Sequence, residues 1–259
     1  MSVTVEVLAV TGGASGIGRA VAELAAAEGI KVAVLDLPGP VEAAVSEITA
    51  SGARQVIAVG CDVTDEEQVA QAFARIADEL GPVDGLVCAA GIDRGGFVHE
   101  LPYKLWRQVL ATNLDGTFLC MQRALAQMME QGRGSIVCCS SPASFVGFAA
   151  GGASAYSASK GAVSALVRTA AVDYARYQIR VNALVPGSTE TTLMWANVPE
   201  AERPAMREVL AREIPLGRLA EPPEPARAAL WLLSDDAAYV TGSHLVIDGG
   251  TLAKGSVSV

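Results

Sequence analysis

The sequence predicts an α/β fold in which a doubly wound parallel sheet of about seven strands is covered by helices on both faces. Short runs rich in Val and Ile alternate with Ala-rich helical patterns along the chain. Apolar residues make up 51% of the 259 residues and aromatic ones only 5%, which favours close packing of helices on a sheet. We therefore expect one domain over residues 1–259.

The expected strands alternate with helices, as in successive βαβ units. Strands are expected at residues 4–11, 31–35, 55–59, 83–88, 135–139, 180–185 and 244–247. Helices are expected at residues 19–28, 41–51, 66–79, 156–177 and 225–233, with one or two more within 101–131. Residues 188–216 are expected to form a partly helical substrate lid at the carboxyl ends of the strands, where ligands bind in open α/β sheets.

Charge and composition exclude several classes of partner. A net charge of −9 without a basic cluster argues against nucleic acid and anionic membranes. The N-terminus lacks a basic segment and the uncharged stretch 134–159 is rich in Ser and Gly, so neither a signal peptide nor a membrane span is expected. The five cysteines show no CxxC spacing and are expected to be reduced core residues of a cytoplasmic protein. His99 and His244 belong to no ligand cluster, so no metal site is expected.

A glycine-rich loop follows the first expected strand. Gly12, Gly16 and Gly18 lie between this strand and a helix, and such a loop lets a pyrophosphate approach the backbone and the helix N-terminus. Asp36 ends the second strand about 20 residues further on, where an acid can accept a hydrogen bond from a ribose 2′-hydroxyl. The same acid would repel a 2′-phosphate, and no Arg or Lys is placed nearby in the sequence to offset it. This Rossmann-type unit predicts NAD rather than NADP as the cofactor.

Tyr156 and Lys160 are four positions apart, which places both side chains on one face of a helix with Cβ atoms about 5–6 Å apart. Lowering a phenol pKa from about 10 to about 7 takes roughly 4 kcal/mol. A cation at about 4 Å can supply this at an effective dielectric constant of about 20. The pair is a candidate proton donor and acceptor, although the spacing alone also arises by chance. Asn113 is unfavourable in mid-helix, which suggests a role beyond the fold.

These residues, in this order, resemble the short-chain dehydrogenase/reductase family in its compact single-domain branch, over residues 4 to about 250. The resemblance rests on Thr11-Gly12-x3-Gly16-Ile17-Gly18, Asp62-Val63, Asn113, Ser141, Tyr156-x3-Lys160, Pro186-Gly187 with Thr191, and Asp248-Gly249-Gly250. It implies a proton exchange between Tyr156 and the substrate oxygen, with Lys160 lowering the pKa of Tyr156 and holding the nicotinamide ribose. It also implies that Ser141 hydrogen-bonds the reacting oxygen and that Asn113 holds a water that passes protons on.

The resemblance further implies a cofactor site built from many of the same residues. Its members would be Gly12, Ser15, Gly16, Ile17, Gly18, Asp36, Asp62, Val63, Ala90, Gly91, Tyr156, Lys160, Pro186, Gly187, Thr189 and Thr191. Thr189 and Thr191 match the positions that usually meet the nicotinamide amide. From its sequence position alone, Asp62 is either a helix-start residue or an acceptor for the adenine amino group.

The chain departs from the family pattern at three places. Cys88 and Cys138 stand where the family usually has Asn. Ser141 lies two residues further from Tyr156 than the usual spacing, which an insertion within residues 147–155 would explain if its glycines bulge outward. Ser141 is the favoured catalytic serine, while Ser140 and Ser144 remain alternatives whose simpler role is hydrogen bonding within the loop.

The leading functional hypothesis is an NAD-dependent oxidoreductase acting on a mainly apolar, possibly cyclic, secondary alcohol or ketone. The alternatives are an NADPH-dependent 3-oxoacyl thioester reductase and a non-catalytic dinucleotide-binding protein. Arg94 is either a carboxylate-binding residue or an ordinary surface residue. The resemblance also implies a homotetramer, with the tail 251–259 reaching a neighbouring subunit. Candidates to line an apolar pocket are Phe97, Phe145, Phe148, Leu193, Met194 and Trp195.

Overall fold

Seven parallel strands form one sheet in the computed structural model, which describes residues 4–53, 55–148 and 151–254. In chain order the strands are β1 Val7–Thr11, β2 Lys31–Asp36, β3 Val56–Gly60, β4 Gly85–Cys88, β5 Gly134–Cys139, β6 Ile179–Pro186 and β7 His244–Ile247. They lie in the order β3-β2-β1-β4-β5-β6-β7, and every neighbouring pair is parallel. The carboxyl ends of all strands therefore meet along one edge, and the chain changes direction across the sheet between β1 and β4.

Helices cover both faces of this sheet, which confirms the predicted fold class. They are α1 Gly16–Ala27, α2 Pro40–Ala50, α3 Glu66–Glu79, α4 Tyr103–Leu110, α5 Gly116–Gln131, α6 Ser154–Tyr174, α7 Thr192–Trp195, α8 Arg203–Glu213 and α9 Pro223–Leu233. One apolar core lies under α3, α5 and α6, and a second lies under α1, α2 and α9. Side chains along β1 alternate between them, because Ala9 joins the first core and Leu8 and Val10 join the second.

Within the described ranges, no helix combines the length and the apolar character that crossing a bilayer requires.

Several element boundaries differ from the sequence-based expectation. The first strand begins at Val7 rather than at residue 4. Helix α1 begins at Gly16 rather than at residue 19, because the end of the glycine loop already forms the first helical turn. Helix α6 begins at Ser154, so Tyr156 lies within its first turn instead of opening it.

A π-helical turn, Ala111–Asp115, joins α4 to α5 without a loop. The sequence predicts one or two helices within residues 101–131. The structure has two helices, α4 and α5, which are continuous through this wider turn. Asn113 lies in this turn and is fully buried. Such turns are frequent at functional sites, and this one points an amide side chain at the end of β4.

Residues 188–216 contain the two short helices α7 and α8, joined through a 3₁₀ turn. Trp195 packs with Ile214 and Leu219 in a small apolar core separate from the two main ones. The indole Nε1 donates to Glu190 at 2.9 Å, and Arg207 forms an ion pair with the same carboxylate. The segment is thus held together by its own contacts, and its action as a lid stays a prediction.

Candidate active site

A cleft of about 1760 Å³ opens at the carboxyl ends of the strands. Loops that follow β1, β2, β3, β4, β5 and β6 line it, together with residues 188–216. All the residues predicted to bind the cofactor line this cleft, and so does Ser141. Asn113 alone among the predicted site residues does not, because it is buried behind the wall.

The glycine loop brings the start of α1 close to the strands. A Cβ at Gly12, whose φ is +64°, would lie 2.6 Å from the backbone N of Ala90, and a Cβ at Gly18 would lie 2.4 Å from the Gly12 carbonyl oxygen. A larger residue at Gly12 would clash with the loop after β4, and one at Gly18 would push α1 away from the glycine loop. Ser15 precedes α1 without a side-chain capping bond, so the N–H groups of the first turn face the cleft. This arrangement fits a dinucleotide pyrophosphate.

Asp36 lies at the carboxyl end of β2, in the wall of the cleft. Its Oδ2 accepts a hydrogen bond from the Ala14 N–H at 3.0 Å, and its Oδ1 accepts one from the Leu37 N–H at 2.8 Å. These bonds hold the carboxylate beside the glycine loop. Arg19, in α1, is paired with Glu23 and Glu47 and does not line the cleft. The described residues therefore offer no cation beside Asp36 for a 2′-phosphate.

Asp62 lines the cleft after β3, but it does not begin a helix. Its Oδ1 accepts hydrogen bonds from the N–H and the hydroxyl of Thr64, at 2.9 and 2.8 Å. Asp65 caps α3 instead, accepting from the N–H groups of Glu67 and Gln68. The helix-start interpretation of Asp62 is therefore wrong, and the adenine contact stays a prediction.

Tyr156, Ser141 and Lys160 meet in the cleft between β5 and α6. Burial raises the pKa of Tyr156 to about 12, the Ser141 hydroxyl acts in the opposite direction, and the negative charge of Asp93 raises the pKa further. Ser141 thus faces the phenol. The Lys160 ammonium is buried, which lowers its pKa, and it donates to the Cys139 carbonyl oxygen at 2.7 Å.

The expected lowering of the Tyr156 pKa by Lys160 stays a prediction. Its Nζ lies 5.8 Å from the centre of the phenol ring and points to the Cys139 carbonyl rather than to the hydroxyl. Burial is the first influence on the pKa of the phenol, and it disfavours the ionised form.

The three candidate serines have different surroundings. Ser140 forms a hydrogen bond with the Ser164 hydroxyl at 2.7 Å and donates to the Lys160 carbonyl oxygen at 3.3 Å, which fixes it against α6. The Ser144 hydroxyl donates to the Ser141 carbonyl oxygen at 2.6 Å and does not line the cleft. Ser141 Oγ accepts a hydrogen bond from the Ala143 N–H, at 3.2 Å, and its hydroxyl faces the phenol of Tyr156.

Asn113 holds the loop after β4. Its Nδ2 donates to the Ile92 carbonyl oxygen at 3.0 Å and to the Ser159 hydroxyl at 3.0 Å, and its Oδ1 accepts from the Ile92 N–H at 2.8 Å. Both amide hydrogens are committed to protein groups, so its part in a water-mediated proton path stays a prediction. The visible consequence is that Ile92 and the residues beside it are fixed at the floor of the cleft.

The two cysteines that replace the family's asparagines lie opposite each other. Cys88 on β4 and Cys138 on β5 are register partners, and both are buried and free. All five cysteines are free and buried, as the sequence predicts. The sheet continues across this pair without interruption, so the thiols fill the space as small apolar groups.

The end of the longer connection between Ser141 and Tyr156, at residues 153–154, lies beside the loop after β4. Residues 149 and 150 of the predicted insertion lie outside the described residues. Gly151 and Gly152 both have positive φ, at +69° and +75°. The Ser154 hydroxyl donates to the Gly96 carbonyl oxygen at 2.8 Å, which anchors the end of the connection. Ser141 consequently still faces Tyr156.

Only some of the apolar residues that the sequence predicts to line the pocket lie in the wall of the cleft. Phe148, Leu193 and Met194 line the cleft, as do Met206 and Leu210 of α8, which the sequence did not single out. Three predicted lining residues do not: Trp195 is buried in the lid's own core, Phe145 packs edge-on against His244, and Phe97 stands beside Gly151. Asp93, which the sequence did not single out, also lines the cleft, two residues after Gly91. Its position just past a strand's carboxyl end was the available signal.

Comparisons with known proteins agree with this geometry. A family model described as "Enoyl-(Acyl carrier protein) reductase" matches residues 12–251. The chain is 38% identical to 2-(S)-hydroxypropyl-CoM dehydrogenase 3 of Xanthobacter autotrophicus, covering 96% of this chain and 97% of that one. It is 42% identical to 2,5-dichloro-2,5-cyclohexadiene-1,4-diol dehydrogenase of Sphingobium indicum, covering 94% and 96%.

Among solved structures, a short-chain type dehydrogenase/reductase from Mycobacterium marinum superposes with a TM-score of 0.88 at 34% identity, covering 96% of both chains. The chain therefore belongs to the short-chain dehydrogenase/reductase family and is an oxidoreductase that uses a nicotinamide dinucleotide.

Proposed function

We propose that this protein transfers a hydride between NAD and a secondary alcohol or ketone whose body is mainly apolar or cyclic. The observation that carries the proposal is the pairing of Ser141 with Tyr156 in the same cleft as the glycine loop and Asp36. A phenol and a hydroxyl that converge on one point can hold a single substrate oxygen between them.

Each residue has a task in this reaction. Tyr156 takes the proton of the alcohol during oxidation and returns it during reduction, while Ser141 donates a hydrogen bond to the same oxygen. Lys160 holds the nicotinamide ribose, and Asn113 keeps the loop around Ile92 in place. The bound oxidised cofactor supplies the hydride acceptor and a positive charge. We infer that this charge offsets the burial that raises the pKa of Tyr156.

NAD is favoured over NADP by the surroundings of Asp36. The carboxylate is fixed by two backbone N–H groups, and its remaining lone pairs can accept from a ribose hydroxyl. A 2′-phosphate at the same place would meet a negative charge without a compensating cation, because Arg19 is paired elsewhere.

A 3-oxoacyl thioester reductase is the second candidate, because the matched family model is described by a reaction on an acyl carrier protein. Asp36 disfavours this alternative, because its carboxylate would repel the 2′-phosphate of NADPH. The apolar wall of Phe148, Leu193 and Met194 and the ring compound in the name of the Sphingobium relative favour a cyclic alcohol. A binding-only protein is disfavoured because Tyr156 and Lys160 are both present.

Thermal unfolding with saturating NAD and, separately, NADP tests the cofactor assignment. A ligand that binds only the native state at 100 times its Kd stabilises it by about 2.7 kcal/mol. We expect a large rise in Tm with NAD and little with NADP. A rise with NADP alone would overturn the role of Asp36 and favour the thioester reductase, and a panel of cyclic secondary alcohols and 3-oxoacyl thioesters would then identify the reaction.

We further propose a cytoplasmic homotetramer. Large apolar side chains are exposed on α5, α6 and β7, at Phe118, Val172 and Val246, which suits subunit contacts at these elements. Residues 255–259 of the expected tail contact lie outside the described residues, and Leu252 lines the cleft of its own subunit. A monomer in light scattering at micromolar concentration would refute the tetramer.

A further inference from the structure

Asp93 occupies a fixed position in the substrate end of the cleft. It lines the same cavity as Tyr156 and follows Ile92, whose N–H and carbonyl oxygen are both bonded to Asn113. Its own carbonyl oxygen accepts a hydrogen bond from Asn197 Nδ2, in the lid segment, at 2.7 Å. The backbone of Asp93 is therefore held on one side by the π-helical turn and on the other by residues 188–216.

The side chain of Asp93, unlike its backbone, is not held by other described residues. Within the described part of the chain, its carboxylate accepts no hydrogen bond and forms no ion pair. It is partly buried, and this burial raises its pKa while the charge of Lys160 lowers it. A carboxylate that is half removed from water without a partner costs free energy that a bound ligand can recover.

Asp93 also opposes the chemistry expected of Tyr156. Its negative charge disfavours the ionised phenol and so raises the pKa of Tyr156. The phenol must ionise to accept the proton of an alcohol. Asp93 therefore lowers the stability of the free site and disfavours the ionised form of Tyr156. We expect it to have a compensating role in the complex with substrate.

We propose that Asp93 accepts a hydrogen bond from a second hydroxyl group of the substrate, so that the enzyme acts on diols or polyols in preference to simple secondary alcohols. This inference rests on the proposed function. The apolar wall of Leu193 and Met194 contacts the body of the substrate, Ser141 and Tyr156 hold the reacting oxygen, and Asp93 fixes which of several hydroxyl groups is presented to them.

A neutral hydroxyl suits this position better than an ammonium group. The Lys160 ammonium already lies within range of the Asp93 charge, and Arg94 lines the cleft beside it. A further cation would meet two like charges, whereas a hydroxyl donates one proton to the carboxylate without adding charge. A substrate carboxylate at the same point would be repelled by Asp93.

The experiment compares cyclohexanol with the stereoisomers of 1,2- and 1,4-cyclohexanediol. Wild type, Asp93→Asn and Asp93→Leu are measured, with Asp78→Asn as a control that makes the same change on an exposed residue of α3. We expect wild type to prefer a diol by about tenfold or more in kcat/KM, and Asp93→Leu to lose about tenfold to a hundredfold on that diol, mainly through KM. Any change on cyclohexanol should be smaller than the loss on the diol, because cyclohexanol has no second hydroxyl group for Asp93. Asp93→Asn should lie between, because its amide oxygen still accepts.

A pH profile separates this role from a structural one. In Asp93→Asn the rise of the oxidation rate with pH should occur at lower pH, because the charge that raises the pKa of Tyr156 is gone. Equal losses on mono-alcohol and diol, or a preference for 2-aminocyclohexanol over the diol, would overturn the inference.

Binding is measured as well, so that the two proposals fail separately. If no alcohol is turned over, the proposed function fails. The role of Asp93 is then decided by the rise in Tm that each compound causes in the presence of NAD. A greater rise with a diol than with cyclohexanol, lost in Asp93→Leu, supports the inference. Equal rises, or no rise with either compound, overturn it.

Discussion

The two ends of the cleft are built in different ways. At the cofactor end, Gly12 and Asp36 stand at the carboxyl ends of β1 and β2, Gly18 stands in the first turn of α1, and the backbone determines where they lie. At the substrate end, Asp93 and Met194 stand on loops and short helices whose course depends on contacts with each other. We therefore expect position in the sheet to select the cofactor and loop packing to select the substrate.

The largest effect on activity is expected for substitution of Tyr156, which lies between the cofactor end and the substrate end of the cleft. Tyr156→Phe removes the only proton-exchanging group proposed for the substrate oxygen, so kcat should fall by about 10²- to 10⁴-fold. The shift of Tm with NAD should remain. Tyr239→Phe is the matched control, because Tyr239 is fully exposed and does not line the cleft. Loss of activity in both variants, or in neither, would contradict the role of Tyr156.

Ser141→Ala should lower kcat by about a hundredfold or more, because it removes a hydrogen bond to the reacting oxygen. Ser141 also lowers the pKa of Tyr156. Without Ser141 the pKa of Tyr156 is expected to be higher. The rise of the oxidation rate with pH should then occur at higher pH, opposite to the shift expected for Asp93→Asn. Ser144→Ala serves as control and should leave the pH profile unchanged. A larger loss in Ser144→Ala would transfer the catalytic role to that serine.

At the cofactor end, Asp36→Asn should reduce the preference for NAD over NADP by about tenfold to a hundredfold, because a charged acceptor for the ribose hydroxyl is lost. The measurement is kcat/KM for each dinucleotide with one alcohol. Asp78→Asn controls for the loss of a negative charge elsewhere. An unchanged preference would mean that another group selects the cofactor.

Gly18→Ala should destabilise the fold by about 1–3 kcal/mol and weaken NAD binding, since the new Cβ would press on the Gly12 carbonyl oxygen. Gly161→Ala in α6 is the control, because a Cβ there meets nothing within 4 Å. It should be neutral or stabilising by up to about 1 kcal/mol. Chemical denaturation of both variants measures the difference, and an equal loss of stability would contradict the close-approach argument.

The smallest effect is expected in the lid. Arg207 is half-exposed, pairs with Glu190 and lies 5.0 Å from the Trp195 ring. Arg207→Ala should raise KM by a few-fold with kcat unchanged, because an exposed ion pair stabilises the segment only weakly. Arg212→Ala on the same helix, whose side chain is more exposed, should leave KM unchanged. Equal changes in both variants would mean that the Glu190 pair does not order the lid.

The sequence predicted the seven strands and the residues at their ends, because glycine spacing, a strand-end acid and the Tyr156–Lys160 pair follow from local backbone geometry. It did not predict that the Lys160 ammonium donates to a carbonyl oxygen of β5. It also missed Asp93 and misplaced Trp195. Those two positions are decided by tertiary contacts between distant loops, which periodicity and spacing do not encode.

The most direct test of the central claim is the initial rate of nicotinamide reduction with NAD and with NADP, measured on the same panel of cyclic secondary alcohols. We predict turnover with NAD and a kcat/KM about tenfold to a hundredfold lower with NADP. Reduction of NADP alone, or of neither dinucleotide by any secondary alcohol, would contradict the account of this cleft as the site of an NAD-dependent alcohol dehydrogenase.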